Sequence, residues 1–157
     1  MRTRTSNERG YGLVELVVVL GMLSLLTAFA VPSLLSYYQS SSLRAGAEQL
    51  SAVIHRARQL AIRQNTSVCV ELTGTTVRLR TTNVTPPDCA GTVWAGVGTD
   101  SAGIIRIAND LQVGGAANAI FTNAGGASAA TTYTLTDPKT GRSRNVLVAV
   151  TGRVSIQ

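Results

Sequence analysis

Gly10-Tyr11-Gly12-Leu13-Val14-Glu15-Leu16 opens an apolar run that continues to Val31, and the reading of this stretch decides the fold. A polar leader carrying Arg2, Arg4 and Arg9 precedes it and ends at Gly10. From Leu16 to Val31 only Gly21, Ser24 and Thr27 interrupt the hydrocarbon. With Gly12 to Val14 in front, the run reaches about 20 residues, the length a helix needs to cross the apolar core of a bilayer. Glu15 sits inside it. A carboxylate at the centre of a membrane helix costs roughly 2.5–3.5 kcal/mol on insertion scales and less near an end. Such a residue persists when something neutralises it. Cleavage after Gly10 would leave a positive amine on Tyr11, one helical turn from Glu15.

This leader, glycine, glutamate and apolar run resemble the class III signal of type IV pilins and pseudopilins. The resemblance implies that prepilin peptidase cuts between Gly10 and Tyr11 and methylates the Tyr11 amine. It also implies that Glu15 is the assembly glutamate, and that the subunit is drawn from the inner membrane into a filament of other pilins or pseudopilins. Tyr11 stands where the family usually has Phe, and Gly12 where Thr is common; neither changes the chemistry of the cut. A Sec signal peptide is the rival reading, with Ala28-Phe29-Ala30 as a weak cleavage site, but Glu15 is an odd residue for its apolar core. The arginines of the leader keep it in the cytoplasm. The expected topology is a single pass through the bacterial inner membrane with the C-terminal head in the periplasm.

Beyond Val31 the pattern becomes amphipathic. Pro32 lacks a backbone donor and is expected to kink or locally melt the helix, as it does in pilins. Leu43, Ala47, Leu50, Ile54, Ala57 and Ala61 then form one helical stripe, widened by Val53 and Leu60. Arg44, Glu48, Gln59 and Arg63 lie opposite, and Asn65 is a stop signal. The domain plan is a leader over 1–10, a transmembrane and assembly helix over 11–31, its amphipathic continuation over 32–65 and a β-rich head over 66–157.

In the head the period shifts to two. Strands are expected at Ser67–Leu72, Thr76–Arg80, Thr92–Ala95, Ile104–Ile107, Ala119–Phe121, Thr132–Thr136, Asn145–Val150 and Val154–Ile156. Asp110–Gly115 reads as a turn, Asn123–Ala130 as a mobile, glycine-rich loop, and Asp137–Arg142 as a hairpin turn. The fold class is α+β, a long N-terminal helix packed on a small antiparallel sheet. Trp94, the sole tryptophan, reads as core filler. Cys69 and Cys89 are expected to form a disulfide if the head lies in an oxidising compartment, closing a loop of about 20 residues worth roughly 3 kcal/mol. Two free, buried thiols are the alternative.

The 157 residues permit one domain plus an anchor. The formal net charge is +6. Three arginines and Glu8 in the leader account for +2, leaving +4 on the mature side chains. Catalysis needs a nucleophile–base pair or a metal cluster. His55 is the only histidine and the acids are scattered, so no enzyme, catalytic residue, metal or cofactor is expected, and His55 reads as structural.

The last 40 residues narrow the resemblance to the GspH/FimT branch of the pilin-like proteins. They carry Ile120-Phe121-Thr122-Asn123-Ala124-Gly125, Tyr133-Thr134-Leu135-Thr136-Asp137, Arg144-Asn145-Val146-Leu147-Val148 and Thr151-Gly152-Arg153-Val154. That branch implies a minor pseudopilin at or near the tip of the type II secretion pseudopilus, or a minor pilin of a type IV pilus, supporting assembly and protein secretion. Some FimT-like proteins bind DNA during natural transformation through a Gly-Arg-x-Arg motif. Here Gly152-Arg153-Val154-Ser155 is incomplete, whereas Gly141-Arg142-Ser143-Arg144 carries the letters. Arg142, Arg144 and Arg153 meeting on one edge could bind DNA phosphates without sequence preference. A solvated hairpin whose arginines deter aggregation is the plainer reading.

Overall fold

The computed structural model describes residues 12–84, 87–115 and 117–157. Two compact units divide the chain, Met1–Tyr38 and Gln39–Gln157. Helix α1 (Leu13–Gln64) supplies residues to both.

In the first unit the described side chains are exposed throughout. The most apolar 18 residues of α1 have a mean hydropathy of 2.4, enough by length and composition to cross a membrane. Hydroxyls within the run are satisfied by the helix itself: Ser24 donates to the Gly21 carbonyl at 2.8 Å and Thr27 to the Ser24 carbonyl at 2.9 Å. Pro32 lies inside α1, and the helix continues through it without interruption. The local melting allowed for by the sequence is therefore absent, although the proline still withholds its donor from the Ala28 carbonyl.

In the second unit, α1 buries Leu43, Ala47, Leu50, Val53, Ile54, Ala57 and Ala61, as their spacing predicts, and Gly46 in addition. Leu60 is partly buried against the same core. The helix ends where expected. Asn65 takes a left-handed φ of 51°. Its N–H donates to the Ile62 carbonyl at 3.4 Å, and the Thr66 N–H donates to the Ala61 carbonyl at 3.2 Å. That pair of bonds is a Schellman cap with asparagine in the glycine position.

The strands form two antiparallel sheets. One contains β1 (Ser67–Thr73), β2 (Thr76–Thr82), β3 (Thr92–Val93), β4 (Ile104–Arg106) and β6 (Ala119–Phe121). Its order is β3-β2-β1-β6, with β4 also paired to β2. The other runs β5-β7-β8-β9, from β5 (Gln112–Gly115), β7 (Thr131–Thr136), β8 (Ser143–Val148) and β9 (Val154–Ile156). Val68 and Val70 of β1, Val77 and Leu79 of β2, and Tyr133, Leu135, Val146 and Val148 of the second sheet share one core with the α1 stripe. This is the expected α+β class, with the head strands divided between two sheets.

Two local expectations are corrected. Asp110–Gly115 is not a turn: the turn is Ala108–Asp110, and Gln112–Gly115 is strand β5, paired to β7. Gly115 has little strand propensity, but a Cβ there would lie 2.7 Å from Tyr133 Cδ1. Close approach to the Tyr133 ring, a tertiary requirement, overrides propensity. The segment after Phe121 is also no free loop. Thr122 N–H donates to the Gly126 carbonyl, Ala127 N–H to the Val150 carbonyl and Ser128 N–H to the Ile120 carbonyl, each at 2.8 Å.

Candidate functional site

Gly10 and Tyr11, the expected cleavage and methylation positions, lie outside the described residues. Glu15 is in the first turn of α1 and exposed. A carboxylate there faces the positive end of the helix dipole, and its N–H donates to the Gly12 carbonyl at 3.0 Å.

Cys69 and Cys89 are joined as a disulfide with Cα atoms 5.3 Å apart. The strand period explains what the bond does. Val68 and Val70 face the core, so Cys69 faces the other side of β1, yet it is fully buried. The segment around Cys89 covers it. Arg80 fastens that segment to the sheet: its Nη1 donates to the Gly91 carbonyl at 3.1 Å, while its Nε pairs with Glu71 Oε2 of β1 at 2.7 Å. Gly91 lies so close to β2 that a Cβ would sit 2.0 Å from the Thr81 carbonyl oxygen.

The three arginines do not come together. The hairpin turn between β7 and β8 is held by Asp137, whose Oδ1 accepts the Lys139 N–H at 2.9 Å and whose Oδ2 accepts the Thr140 hydroxyl at 2.8 Å. These hydrogen bonds, the Lys139 N–H foremost, lower its pKa below the ordinary carboxylate value. The turn presents Arg142, exposed, and leads into β8, where Arg144 is half-buried and opposite Leu135. Arg153 lies at the far end of β8, where its carbonyl accepts the Ala149 N–H at 2.9 Å. Five residues of strand, about 17 Å, separate Arg144 from Ala149. Gly141-Arg142-Ser143-Arg144 stays together at the hairpin, but the length of β8 holds Arg153 away from it.

His55 is exposed on α1. Among the described residues no three of His, Cys, Asp and Glu are grouped to hold a metal. Trp94 is only partly buried, packing on the rim of the core.

Sequence reasoning missed three side chains of α1 that reach the backbone of distant segments, among them Arg58, whose Nη1 donates to the Gly152 carbonyl at 3.3 Å. Gln49 brackets the chain after β4: its Nε2 donates to the Arg106 carbonyl at 3.0 Å and its Oε1 accepts the Ala108 N–H at 2.9 Å. Arg56 donates to the Val97 carbonyl, fastening the loop that follows Trp94. No local signal marks any of the three, because each partner is a main-chain group more than 40 residues away.

Residues 46–152 match the family described as Type II transport protein GspH. No curated protein matches the chain. Among solved structures it is similar to the type IV minor pilin FimU of Pseudomonas aeruginosa, with a TM-score of 0.55 and 19% identity, over 77% of this chain and 92% of that one. It is also similar to the minor pseudopilin EpsH of the type 2 secretion system of Vibrio cholerae, with a TM-score of 0.54 and 10% identity, over 74% and 96%. At these identities the likeness is one of fold.

Proposed function

This chain belongs to the GspH family of type II transport proteins, and we propose that it is a minor pseudopilin or minor pilin incorporated in or at the tip of a type II secretion pseudopilus or a type IV pilus. The observation that carries this reading is the family match over the head, joined to an apolar helix with a single acid in its first turn. In this role the chain does no catalysis and supports filament assembly and secretion. Prepilin peptidase removes residues 1–10 and methylates Tyr11. Glu15 pairs with a Tyr11 amine, its own or a neighbour's, and the attraction sets the register in which helices leave the inner membrane. The lone carboxylate is tolerated in hydrocarbon because it is paired there. The head folds in the periplasm, where the disulfide forms.

The test is the mass and fate of the mature chain. Intact mass should show loss of the ten leader residues and gain of one methyl group. Glu15→Ala should be processed normally but be absent from sheared filaments. Full incorporation of Glu15→Ala would overturn the role of Glu15.

A second reading rests on Arg142 and Arg144, two residues apart in sequence where the hairpin turn enters β8. As a minor pilin of a type IV pilus, the chain would bind DNA phosphates there without sequence preference. Binding should weaken steeply with salt and be lost in Arg142→Gln/Arg144→Gln, with Arg153→Gln contributing little. Binding that survives the double substitution would remove this site.

A further inference from the structure

One groove beside α1 is left unexplained by assembly through Glu15 and by the hairpin arginines. Arg56, Gln59, Leu60 and Arg63 of the helix and Trp94 and Val97 of the loop after β3 enclose about 340 Å³. The helix residues recur at three, four and seven positions, so they share one face, and Arg56 and Arg63 stand two turns apart, about 10 Å. The loop is held in place. Arg56 donates to the Val97 carbonyl, and Gly98, at φ 85°, brings the chain so close that a Cβ would lie 2.8 Å from Arg56 Nη1. Gly96 lies against Trp94, where a Cβ would be 2.2 Å from Cζ2. Val97 stands at the lip, 86% exposed.

The groove therefore has an apolar floor of Leu60 and Trp94 and a cation at each end. Among the described residues the ion pairs are Arg44–Glu48 and Arg80–Glu71, so neither groove arginine has an acidic partner. A held, basic, apolar-floored groove fits an occupant with one apolar side chain flanked by carboxylates. Guanidinium forks match carboxylates in geometry, and a partner that seats its apolar group excludes water from those bonds. A nucleic acid fits less well. Two cations are too few to track a phosphate backbone, the lip is aliphatic, and none of Arg142, Arg144 and Arg153 lines the groove.

We infer that this groove docks an acidic segment bearing an apolar side chain from a neighbouring subunit of the filament. The inference rests on the filament-subunit reading, and its test is confined to cells in which the full chain is recovered in filaments, so that failure of the reading shows itself first. A photo-crosslinking residue, p-benzoylphenylalanine, replaces Val97, and the crosslinked peptide is identified by mass spectrometry. The expected product is a segment of another pilin-like subunit carrying Asp or Glu beside an apolar residue. Arg63→Glu, a change at an exposed position that leaves the core untouched, should cut its yield on the order of tenfold, the effect of reversing one charge-assisted contact. Three results overturn the inference: no subunit crosslink in assembled filaments, a crosslinked segment without acids, or a yield indifferent to Arg63→Glu. A fourth comes from oligothymidylate added to the full chain in detergent. If it quenches Trp94, the only tryptophan, and Arg63→Glu abolishes the quench, the groove belongs to nucleic acid instead.

Discussion

The Tyr133 hydroxyl accepts the backbone N–H of Ala119 at 2.6 Å in the interior of the head. Tyr133 belongs to β7 of the four-stranded sheet and Ala119 to β6 of the five-stranded sheet, so one side-chain oxygen ties the two sheets together. The ring is fully buried. Tyr133→Phe keeps the ring but leaves the Ala119 N–H without its acceptor, and a buried donor left unpaired costs about 1–3 kcal/mol. Burial also pushes the Tyr133 pKa up to about 12, because the phenolate is poorly solvated there. A folded pKa raised above the unfolded value of about 10 means that the fold favours the neutral phenol. That contribution is complete below about pH 10 and is lost as pH rises toward 12. Denaturation followed by Trp94 fluorescence should show a loss of stability between about pH 10 and 12 that is weaker in Tyr133→Phe. Equal alkaline sensitivity in both proteins would place its source elsewhere.

The disulfide is expected to matter to the second unit as a whole. It closes a sequence separation of 20 residues, and it pins a segment that covers the outer face of β1. In the chain-entropy account a loop of this size contributes about 3 kcal/mol. Cys69→Ser/Cys89→Ser should fall by about that amount in urea unfolding. Reduction of the wild type should reproduce the loss, while the double variant should not respond to reductant. A wild type indifferent to reductant would show that the covering segment stays in place through Arg80 alone.

The helix was legible in the sequence because its signals are local. The stripe from Leu43 to Ala61 and the stop at Asn65 follow from a period of 3.6 and one capping residue. β1 and β2 were legible for the same reason, as alternation flanking a glycine turn. What was hidden depends on contacts distant in sequence. β5 is a strand because Gly114 and Gly115 lie beside β7, and no propensity announces that. The segment 122–128 looked free because its letters are small, yet its N–H groups are claimed by residues such as Val150. At the candidate sites, the spacing of Gly141-Arg142-Ser143-Arg144 was readable, but the distance to Arg153 was set by the register of β8 and β9. Trp94 was read as core, whereas the fold leaves it partly buried at the rim, lining one groove with Arg56 and Arg63.

Acid should loosen the hairpin that carries Arg142 and Arg144. Asp137 has a lowered pKa because its carboxylate accepts the Lys139 N–H and the Thr140 hydroxyl. A folded pKa depressed below the unfolded value stabilises the fold above that unfolded value, near 4, and the contribution is lost as pH falls through the lowered folded pKa. Amide exchange at Lys139 and Gly141 should therefore accelerate below about pH 4 relative to the intrinsic rate. Asp137→Asn should show faster relative exchange already at neutral pH and little further change on acidification. If DNA binding resides on this turn, Asp137→Asn should also weaken it without altering any arginine.

Gly46 and Leu111 make the sharpest packing test. Gly46 lies in the buried stripe of α1, and a Cβ there would fall 2.2 Å from Leu111 Cδ1. Two effects oppose each other in Gly46→Ala. Alanine in a helix interior gains about 1 kcal/mol over glycine, but forcing a methyl group into a filled core costs about 1–3 kcal/mol. Leu111 is fully buried and cannot swing into solvent, so the packing cost should prevail and Gly46→Ala should be destabilised. In a Leu111→Ala background the obstructing methyl is gone, and the same substitution should become stabilising. The double-mutant cycle should then show a coupling of about 1–3 kcal/mol. A coupling near zero would mean that α1 shifts away from Leu111 to admit the methyl, and that the close approach of the helix to the residue just before β5 is not fixed by the glycine.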